Sequence, residues 1–106
     1  MLNEKQKQKL KKNWGVLADT LECLAEVRVY DPLSSWESYI LAMNPEDEDE
    51  IFCIIKGCNV EACQWRLTEM QAMHNSGGDH VKVDKEYKPR KASEIYKILT
   101  RNLYAT

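Results

Sequence analysis

"VRVYDPLSSWESYILAMNPEDEDEIFCIIKGCNVEACQWRL", residues 27–67, contains most of the strand signals in this chain. Segments rich in β-branched and aromatic residues alternate with short groups of Pro, Gly, Asn and Ser, which is the pattern of strands joined by turns. The predicted strands are 27–30, 36–43, 51–56 and 62–67. Because consecutive strands with short connections lie beside each other, the stretch predicts an antiparallel β-meander with a central strand at 51–56.

The residues before this stretch have the pattern of an amphipathic helix. Asn3 and Gln6 form a capping box, so a helix is predicted to begin near Glu4. Apolar residues at helical spacing form one stripe, made of Leu10, Trp14, Leu17, Leu21 and Leu24. Gly15 interrupts this stripe, so we expect either one helix with a weak point or two helices broken near residues 13–15.

The residues after the stretch predict further helices and one short strand. Thr68 is predicted to cap a short helix over residues 69–74, which precedes a Gly-rich loop. Residues 80–84 alternate and are a candidate fifth strand. A final helix with one apolar face is predicted to begin near Ser93.

Together these elements predict an α+β fold. We expect an antiparallel β-meander of four to five strands, with N-terminal and C-terminal helices packed on one side and a short helix after the fourth strand. The chain has 106 residues, the size of one ordinary domain. We therefore expect a single domain, with a helical segment at 1–26, the meander at 27–67 and the remaining elements at 68–106.

Composition and charge narrow the class of protein. The chain is 43% hydrophobic and 30% charged, which is enough apolar material for a modest core. No apolar run approaches the roughly 20 residues of a membrane span, and no apolar segment follows the basic N-terminal residues as in a secretory signal. We therefore expect a cytoplasmic protein without membrane contact and with its cysteines reduced.

The net charge of −2 is distributed unevenly along the chain. Residues 1–28 carry a net charge of +2, residues 29–70 carry −7 and residues 71–106 carry +3. Such asymmetry bears on partners and solubility rather than on the fold.

Three segments in order carry a resemblance to a known family. They are VYDPLSSWESYILAMNPEDEDEIFCIIKG (29–57), EACQWRLTEM (61–70) and VDKEYKPRKASEI (83–95). Together they resemble a family of small bacterial proteins that is described only as a domain of unknown function and is carried on plasmids, conjugative elements and phages. The resemblance covers residues 27–95 and implies an accessory role in a mobile element, without implying any chemistry.

The chain departs from the pattern of that family at four positions. Cys53 and Cys63 stand where the family has small residues, mainly glycine. Gln64 and Arg66 replace an aromatic residue and a serine.

The groups that could bind a metal or act as nucleophiles are Cys23, Cys53, Cys58, Cys63, His74 and His80. Structural zinc sites usually offer C-x2–4-C pairs, and the spacing here does not supply a closed set of four ligands. No family-specific sequence of a cysteine enzyme surrounds any of these residues. We therefore predict no catalytic residue, no metal and no cofactor, and we expect the cysteines to be small apolar side chains.

Five consecutive acidic residues, 46–50, separate two predicted strands. An EF-hand loop needs a central glycine and a late glutamate, which this segment lacks. The run is either a solvated charged turn, which discourages edge-to-edge pairing, or a recognition surface that mimics nucleic-acid phosphate. For a recognition surface, the candidate partner-binding residues are Glu46, Asp47, Glu48, Asp49, Glu50, Glu37, Trp36 and Glu61.

A basic stretch near the C-terminus suggests direct nucleic-acid binding as another possibility. Its candidate residues are Lys82, Lys85, Lys88, Arg90 and Lys91. Lys and Arg contact phosphates in this way, although a solvated surface has the same composition and the whole chain is slightly acidic.

The expected function is a non-enzymatic protein-interaction or adaptor module, associated with a mobile genetic element and acting on a protein partner. One alternative is an inhibitor of a host nucleic-acid-targeting defence system, of the anti-CRISPR or anti-restriction type, that acts through an acidic surface. The other alternative is a small enzyme whose pocket is invisible in the sequence.

Overall fold

A computed structural model describes residues 1–104 of the chain. The helices are α1 (Glu4–Lys12), α2 (Val16–Asp19), α3 (Leu67–Ala72) and α4 (Ala92–Tyr104). The strands are β1 (Leu24–Ala25), β2 (Val27–Tyr30), β3 (Glu37–Asn44), β4 (Asp47–Lys56), β5 (Val60–Arg66), β6 (Lys82–Val83) and β7 (Arg90–Lys91).

The main sheet has five strands in the order β5-β4-β3-β2-β6, and every neighbouring pair is antiparallel. β4 has partners on both edges, which fits the apolar run from Ile51 to Ile55. The candidate fifth strand is present as β6, next to β2. β1 and β7 form a separate two-stranded ribbon. The prediction of an α+β fold with an antiparallel meander, terminal helices and a short helix after the fourth strand of the meander is confirmed.

Both faces of the sheet are covered by apolar side chains. The face beneath α4, which we call the α4 face, packs Leu41, Ala42 and Ile54 against Ile95 and Leu99. The opposite face, which we call the α3 face, is built from Leu10, Val27, Val29, Ile40, Met43, Ile51, Cys53, Leu67 and Met70. Since buried apolar area contributes about 25 cal/mol per Å², these two clusters are the main source of stability.

An extra residue in β3 changes which side chains reach each face. The pairing of β3 with β4 shifts register between Ile40 and Ala42, so Leu41 forms a bulge. Leu41 and Ala42 therefore both lie on the α4 face, and Met43 lies on the α3 face. Strict alternation along β3 would place Leu41 and Met43 on the same face, and the bulge is the reason that they lie on opposite faces.

Gly15 separates α1 from α2. Its φ of 103° lies in the left-handed region, which glycine adopts without the steric penalty of a Cβ. Leu10 of α1 therefore packs on the α3 face, whereas Trp14, and Ala18 of α2, pack on the α4 face. The prediction that the terminal helices pack on one side of the sheet thus holds for α2 and α4, and it is wrong for α1. The two-helix alternative is confirmed, and the expectation of one continuous stripe is wrong because Leu17 and Leu24 are exposed.

α1 lies along the part of β3 that extends beyond β2. Asn13 Nδ2 donates hydrogen bonds to the carbonyl oxygens of Leu41, at 3.0 Å, and Leu24, at 3.4 Å. These bonds satisfy one carbonyl group of β3 and one of β1. The predicted capping box is confirmed, because Gln6 N donates to Asn3 Oδ1 at 2.8 Å and Asn3 N donates to Gln6 Oε1 at 3.0 Å.

Two local expectations are corrected where β4 meets α3. β4 begins at Asp47, so only Pro45 and Glu46 form the turn, and a charged turn over the whole acidic run is wrong. Thr68 does not cap α3, because the helix already begins at Leu67. The Thr68 hydroxyl donates a hydrogen bond to Asp49 instead. The first difference arises because Asp47 already pairs with Asn44 of β3, and the second because Asp49 accepts hydrogen bonds from Thr68, which is distant in sequence.

Candidate functional site

The acidic run, residues 46–50, is tied to α1 by Glu48. Lys7 Nζ lies 3.1 Å from Glu48 Oε1, and Lys11 Nζ lies 2.6 Å from Glu48 Oε2. The hydrogen bond from Lys11, and then the one from Lys7, lower the pKa of the Glu48 carboxyl. Glu48 therefore joins one turn of α1 to the start of β4.

Asp49 holds the N-terminus of α3. Its Oδ1 accepts a hydrogen bond from the Thr68 amide at 2.8 Å, and its Oδ2 accepts from Thr68 Oγ1 at 3.0 Å and from Arg66 Nη1 at 3.1 Å. A carboxylate at a helix N-terminus satisfies a free amide and interacts favourably with the helix dipole. The Thr68 amide is the largest cause of the lowered pKa of Asp49, although partial burial opposes it.

The remaining carboxylates of the acidic run differ in whether they accept a hydrogen bond. Glu50 Oε2 accepts a hydrogen bond from Asn44 Nδ2 at 3.0 Å, and Asp47 Oδ1 accepts one from the Asp49 amide at 3.0 Å. Within residues 1–104, the Glu46 carboxylate has neither a hydrogen-bond donor nor an ion-pair partner. Most of the run therefore already serves the fold.

The other three predicted partner-binding residues do not join the acidic run. Glu37 of β3 lies directly opposite Lys56 of β4, at the other end of the β3–β4 hairpin from the acidic run. Trp36 packs edge-on against Trp65, with ring centroids 6.4 Å apart. Glu61 is exposed on β5. The eight candidate residues consequently do not form one continuous surface.

A tyrosine–arginine cluster occupies the other end of the α4 face. Arg28 Nη1 lies 2.9 Å from Asp84 Oδ2, and Arg28 Nη2 lies 3.5 Å from Glu37 Oε2. Tyr39 OH donates a hydrogen bond to Glu37. Burial, together with this bond to a carboxylate, raises the pKa of Tyr39 to about 12. The tyrosine is therefore protonated at neutral pH, and the two carboxylates share one guanidinium.

The same cluster anchors the segment that carries the basic residues. The Tyr87 ring lies 5.7 Å from that of Tyr39, and Tyr87 OH donates to the carbonyl oxygen of Ala25 at 2.8 Å. Tyr87 OH also accepts a hydrogen bond from the Arg90 amide at 3.3 Å. With the Asp84–Arg28 pair, these contacts attach residues 84–90 to the sheet.

The basic segment, residues 82–91, presents its cations to solvent. All five predicted residues are exposed, and Lys91 pairs with Glu22 at 3.3 Å. In the described part of the chain, Lys82, Lys85, Lys88 and Arg90 have no ion pair within 4.0 Å. These cations are available to a partner, in contrast to the acidic run.

Exposed apolar side chains occur on α2 and β1, and the one on β1 lies next to the end of the basic segment. Val16, Leu17 and Leu24, which we call the apolar corner, are 75%, 49% and 48% exposed. In the β1–β7 ribbon Leu24 is directly opposite Lys91. The Glu22 amide donates to the Leu17 carbonyl oxygen at 2.9 Å, which holds α2 close to β1.

The apolar corner was missed in the sequence because the helical stripe predicted that Leu17 and Leu24 are buried. The signal that could have revealed it is Gly15, since a break there rotates the second half of the stripe away from the core.

The cysteines and histidines do not converge on a metal site. Among the described residues, no group of three or more His, Cys, Asp or Glu side chains could hold a metal ion. His74 and His80 are exposed, with their rings 6.0 Å apart, and His80 Nδ1 lies 3.0 Å from the Met73 carbonyl oxygen.

Comparisons with known proteins assign neither a family nor a function to this chain. No family model, no curated protein and no solved structure matches this chain. The resemblance to a family carried on mobile elements therefore stays a prediction. Over residues 1–104, no helix is both long enough and apolar enough to cross a membrane.

Proposed function

We propose that the chain is a non-enzymatic protein-interaction module whose binding face is the apolar corner together with Lys88 and Arg90. The observation that carries this proposal is the exposure of Val16, Leu17 and Leu24, of which Leu24 lies on β1 next to β7, the strand that carries the exposed Arg90. The partner is a protein with an apolar patch bordered by carboxylates.

The physical basis is the usual anatomy of protein interfaces. An interface combines an apolar centre, which supplies affinity when water is excluded, with a polar rim that sets orientation and partner choice. Grouped apolar side chains on the surface are typical of interaction sites, whereas isolated ones are common and need no explanation. The apolar corner supplies the centre, and the neighbouring cations supply the rim.

The acidic run is a poorer candidate for the binding face. A partner that pairs with Glu48 or Asp49 has to compete with Lys7, Lys11, Arg66 and the α3 N-terminus. An inhibitor that acts through the acidic surface would therefore weaken its own fold on binding. For this reason we assign partner recognition to the cations of the basic segment and not to the acidic run.

Direct nucleic-acid binding is the other use of exposed cations. Phosphate contacts need Lys and Arg, which the basic segment provides, but they do not need exposed leucines. The apolar corner thus favours a protein partner. Association with a mobile element stays a prediction from the resemblance.

The test compares matched surface variants in affinity capture from a lysate of the host. The first variant is Leu17→Ser with Leu24→Ser, the second is Lys88→Glu with Arg90→Glu, and the control is Glu46→Gln with Asp47→Asn. We expect a partner that wild type and the control retain, and that both binding-face variants lose. Circular dichroism checks that each variant is folded.

Loss of the partner only in the acidic control contradicts the proposal and favours the inhibitor alternative. Recovery of identical partners by all variants also contradicts the proposal, because the binding face then contributes nothing to binding. Nuclease treatment of the lysate separates a protein contact from one through nucleic acid, and loss of the partner after this treatment also contradicts the proposal.

A further inference from the structure

Cys53 and Cys63 face each other across two neighbouring strands. They are direct Cα partners in the antiparallel pair of β4 and β5. Such partners have Cα atoms about 4.5–5.5 Å apart, which lies within the range of about 4.4–6.8 Å that a disulfide requires. Cys53 Sγ lies 3.7 Å from the Cys63 carbonyl oxygen, so this thiol leans towards β5.

The two thiols differ in exposure. Cys53 is fully buried on the α3 face, whereas Cys63 is partly exposed on β5, the edge strand of the sheet. The interaction of the two side chains, followed by burial, raises the pKa of Cys53, and the same interaction lowers the pKa of Cys63. Cys63 is therefore the thiol that an external reagent reaches first and in its more reactive form.

A buried hydroxyl lies next to the pair. Ser38 Oγ is buried and has no hydrogen-bond partner among the described residues. On the sheet Ser38 is diagonal to Cys53, since Ser38 pairs with Ile55 and Ile40 pairs with Cys53, and its hydroxyl opposes the rise in the pKa of that thiol. A buried donor that is otherwise unsatisfied is a group that can stabilise the Cys53 thiolate when it forms.

We propose that Cys53 and Cys63 are a reversible redox pair that low-molecular-weight disulfides oxidise to a cross-strand disulfide. The Cys63 thiolate attacks one sulfur of the small disulfide, forms a mixed disulfide and releases one small thiol. Cys53 loses its proton and attacks the Cys63 sulfur, which releases the second small thiol. Two hydrogens leave the protein and end on the two small thiols, and the small disulfide is reduced.

The remaining cysteines cannot substitute in this reaction. Cys23 is buried on the α4 face, on the other side of the sheet from Cys53. Cys58 is exposed near the tip of the β4–β5 hairpin. A small thiol in excess can reverse the reaction by attacking the disulfide through the same mixed-disulfide intermediate.

The test uses the full chain with Cys58→Ser, which removes the exposed competing thiol, and oxidised glutathione as the oxidant. Intact mass spectrometry and peptide mapping follow the products under native conditions. We expect a mass loss of two hydrogen atoms, a peptide linking Cys53 to Cys63, and recovery of the original mass with dithiothreitol. A persistent glutathione adduct on Cys63, a link to Cys23 or an unchanged mass overturns the proposal.

A second measurement tests the difference in accessibility between the two thiols. In the reduced chain with Cys58→Ser, brief alkylation with iodoacetamide should label Cys63 and leave Cys53 and Cys23 unmodified. Prior oxidation should abolish labelling at Cys63 without unfolding the chain. With Cys63→Ser added, oxidised glutathione should produce no disulfide and no adduct. Labelling of Cys63 that oxidation leaves unchanged contradicts the proposal.

Discussion

The acidic run and the basic segment carry similar numbers of charges but use them differently. Glu48, Asp49 and Glu50 contact groups from α1, α3 and β3, so their charges hold elements together. Lys85 and Lys88 extend into solvent from a segment that the tyrosine–arginine cluster holds in place. A run of charge in a sequence thus does not reveal whether the charge is available to a partner.

The largest expected effect comes from removing the anchor of the basic segment. Tyr87→Ala loses the packing on Tyr39 and the hydrogen bond to Ala25, and we expect about 2–3 kcal/mol less stability. Tyr87→Phe keeps the ring and should lose about 1 kcal/mol. Equilibrium urea unfolding measures both values. Lys88→Ala is the control, and an equal effect there shows that the cations, too, serve the fold.

The next effect concerns the break that exposes the apolar corner. Gly15→Ala places a Cβ in the left-handed region, which should lower stability by about 1–2 kcal/mol. Gly57→Ala is the matched control, because its Cβ would make only an ordinary 3.5 Å contact with Trp36. Thermal unfolding compares the two variants. An unchanged melting temperature for Gly15→Ala shows that the break does not depend on glycine.

Much of the fold could be predicted from the sequence, since local patterns determine most helices and strands. The alternation of residues 27–30 and the apolar run of residues 51–56 indicated their strands, and the Asn3–Gln6 pair indicated the start of α1. Gly15 left two alternatives open. Each of these signals depends on neighbours within a few residues.

The contacts that assign roles to the charges could not be predicted, because they join distant positions. Glu48 finds Lys7 and Lys11, and Asp49 finds Thr68, across intervals that carry no local signal. The β1–β7 ribbon consists of two residues per strand, too few for a recognisable pattern. The exposure of Leu24 follows from that ribbon.

A smaller effect follows from the acidic side of the comparison, and it depends on pH. The pKa values of Glu48 and Asp49 are lowered in the folded chain, so their contribution is fully present above the ordinary carboxyl range and is lost as the pH falls through the folded values. Asp49→Asn should lower the urea midpoint at neutral pH, and its difference from wild type should shrink towards about pH 2. A difference that stays constant with pH contradicts this role for the carboxylate.

The smallest effect is expected from the pairs between Glu48 and α1. Exposed ion pairs are screened by salt, so Lys11→Gln should lower the melting temperature slightly at low salt and less at about 1 M NaCl. Lys85→Gln, which removes a cation without an ion pair in the described residues, should leave the melting temperature unchanged at both salt concentrations. Equal shifts of the melting temperature for the two variants contradict the view that cations paired with the acidic run stabilise the fold and those of the basic segment do not.

Equilibrium urea unfolding of two triple variants at neutral pH tests the contrast most directly. One variant carries Glu48→Gln, Asp49→Asn and Glu50→Gln, and the other carries Lys82→Gln, Lys85→Gln and Lys88→Gln. Since the acidic side chains hold α1 and α3 to the sheet, the first variant should unfold at a clearly lower urea concentration than wild type, and the second should match wild type. A basic variant that is destabilised as much as the acidic one, or an acidic variant that matches wild type, contradicts the assignment of the acidic run to the fold and of the basic segment to binding.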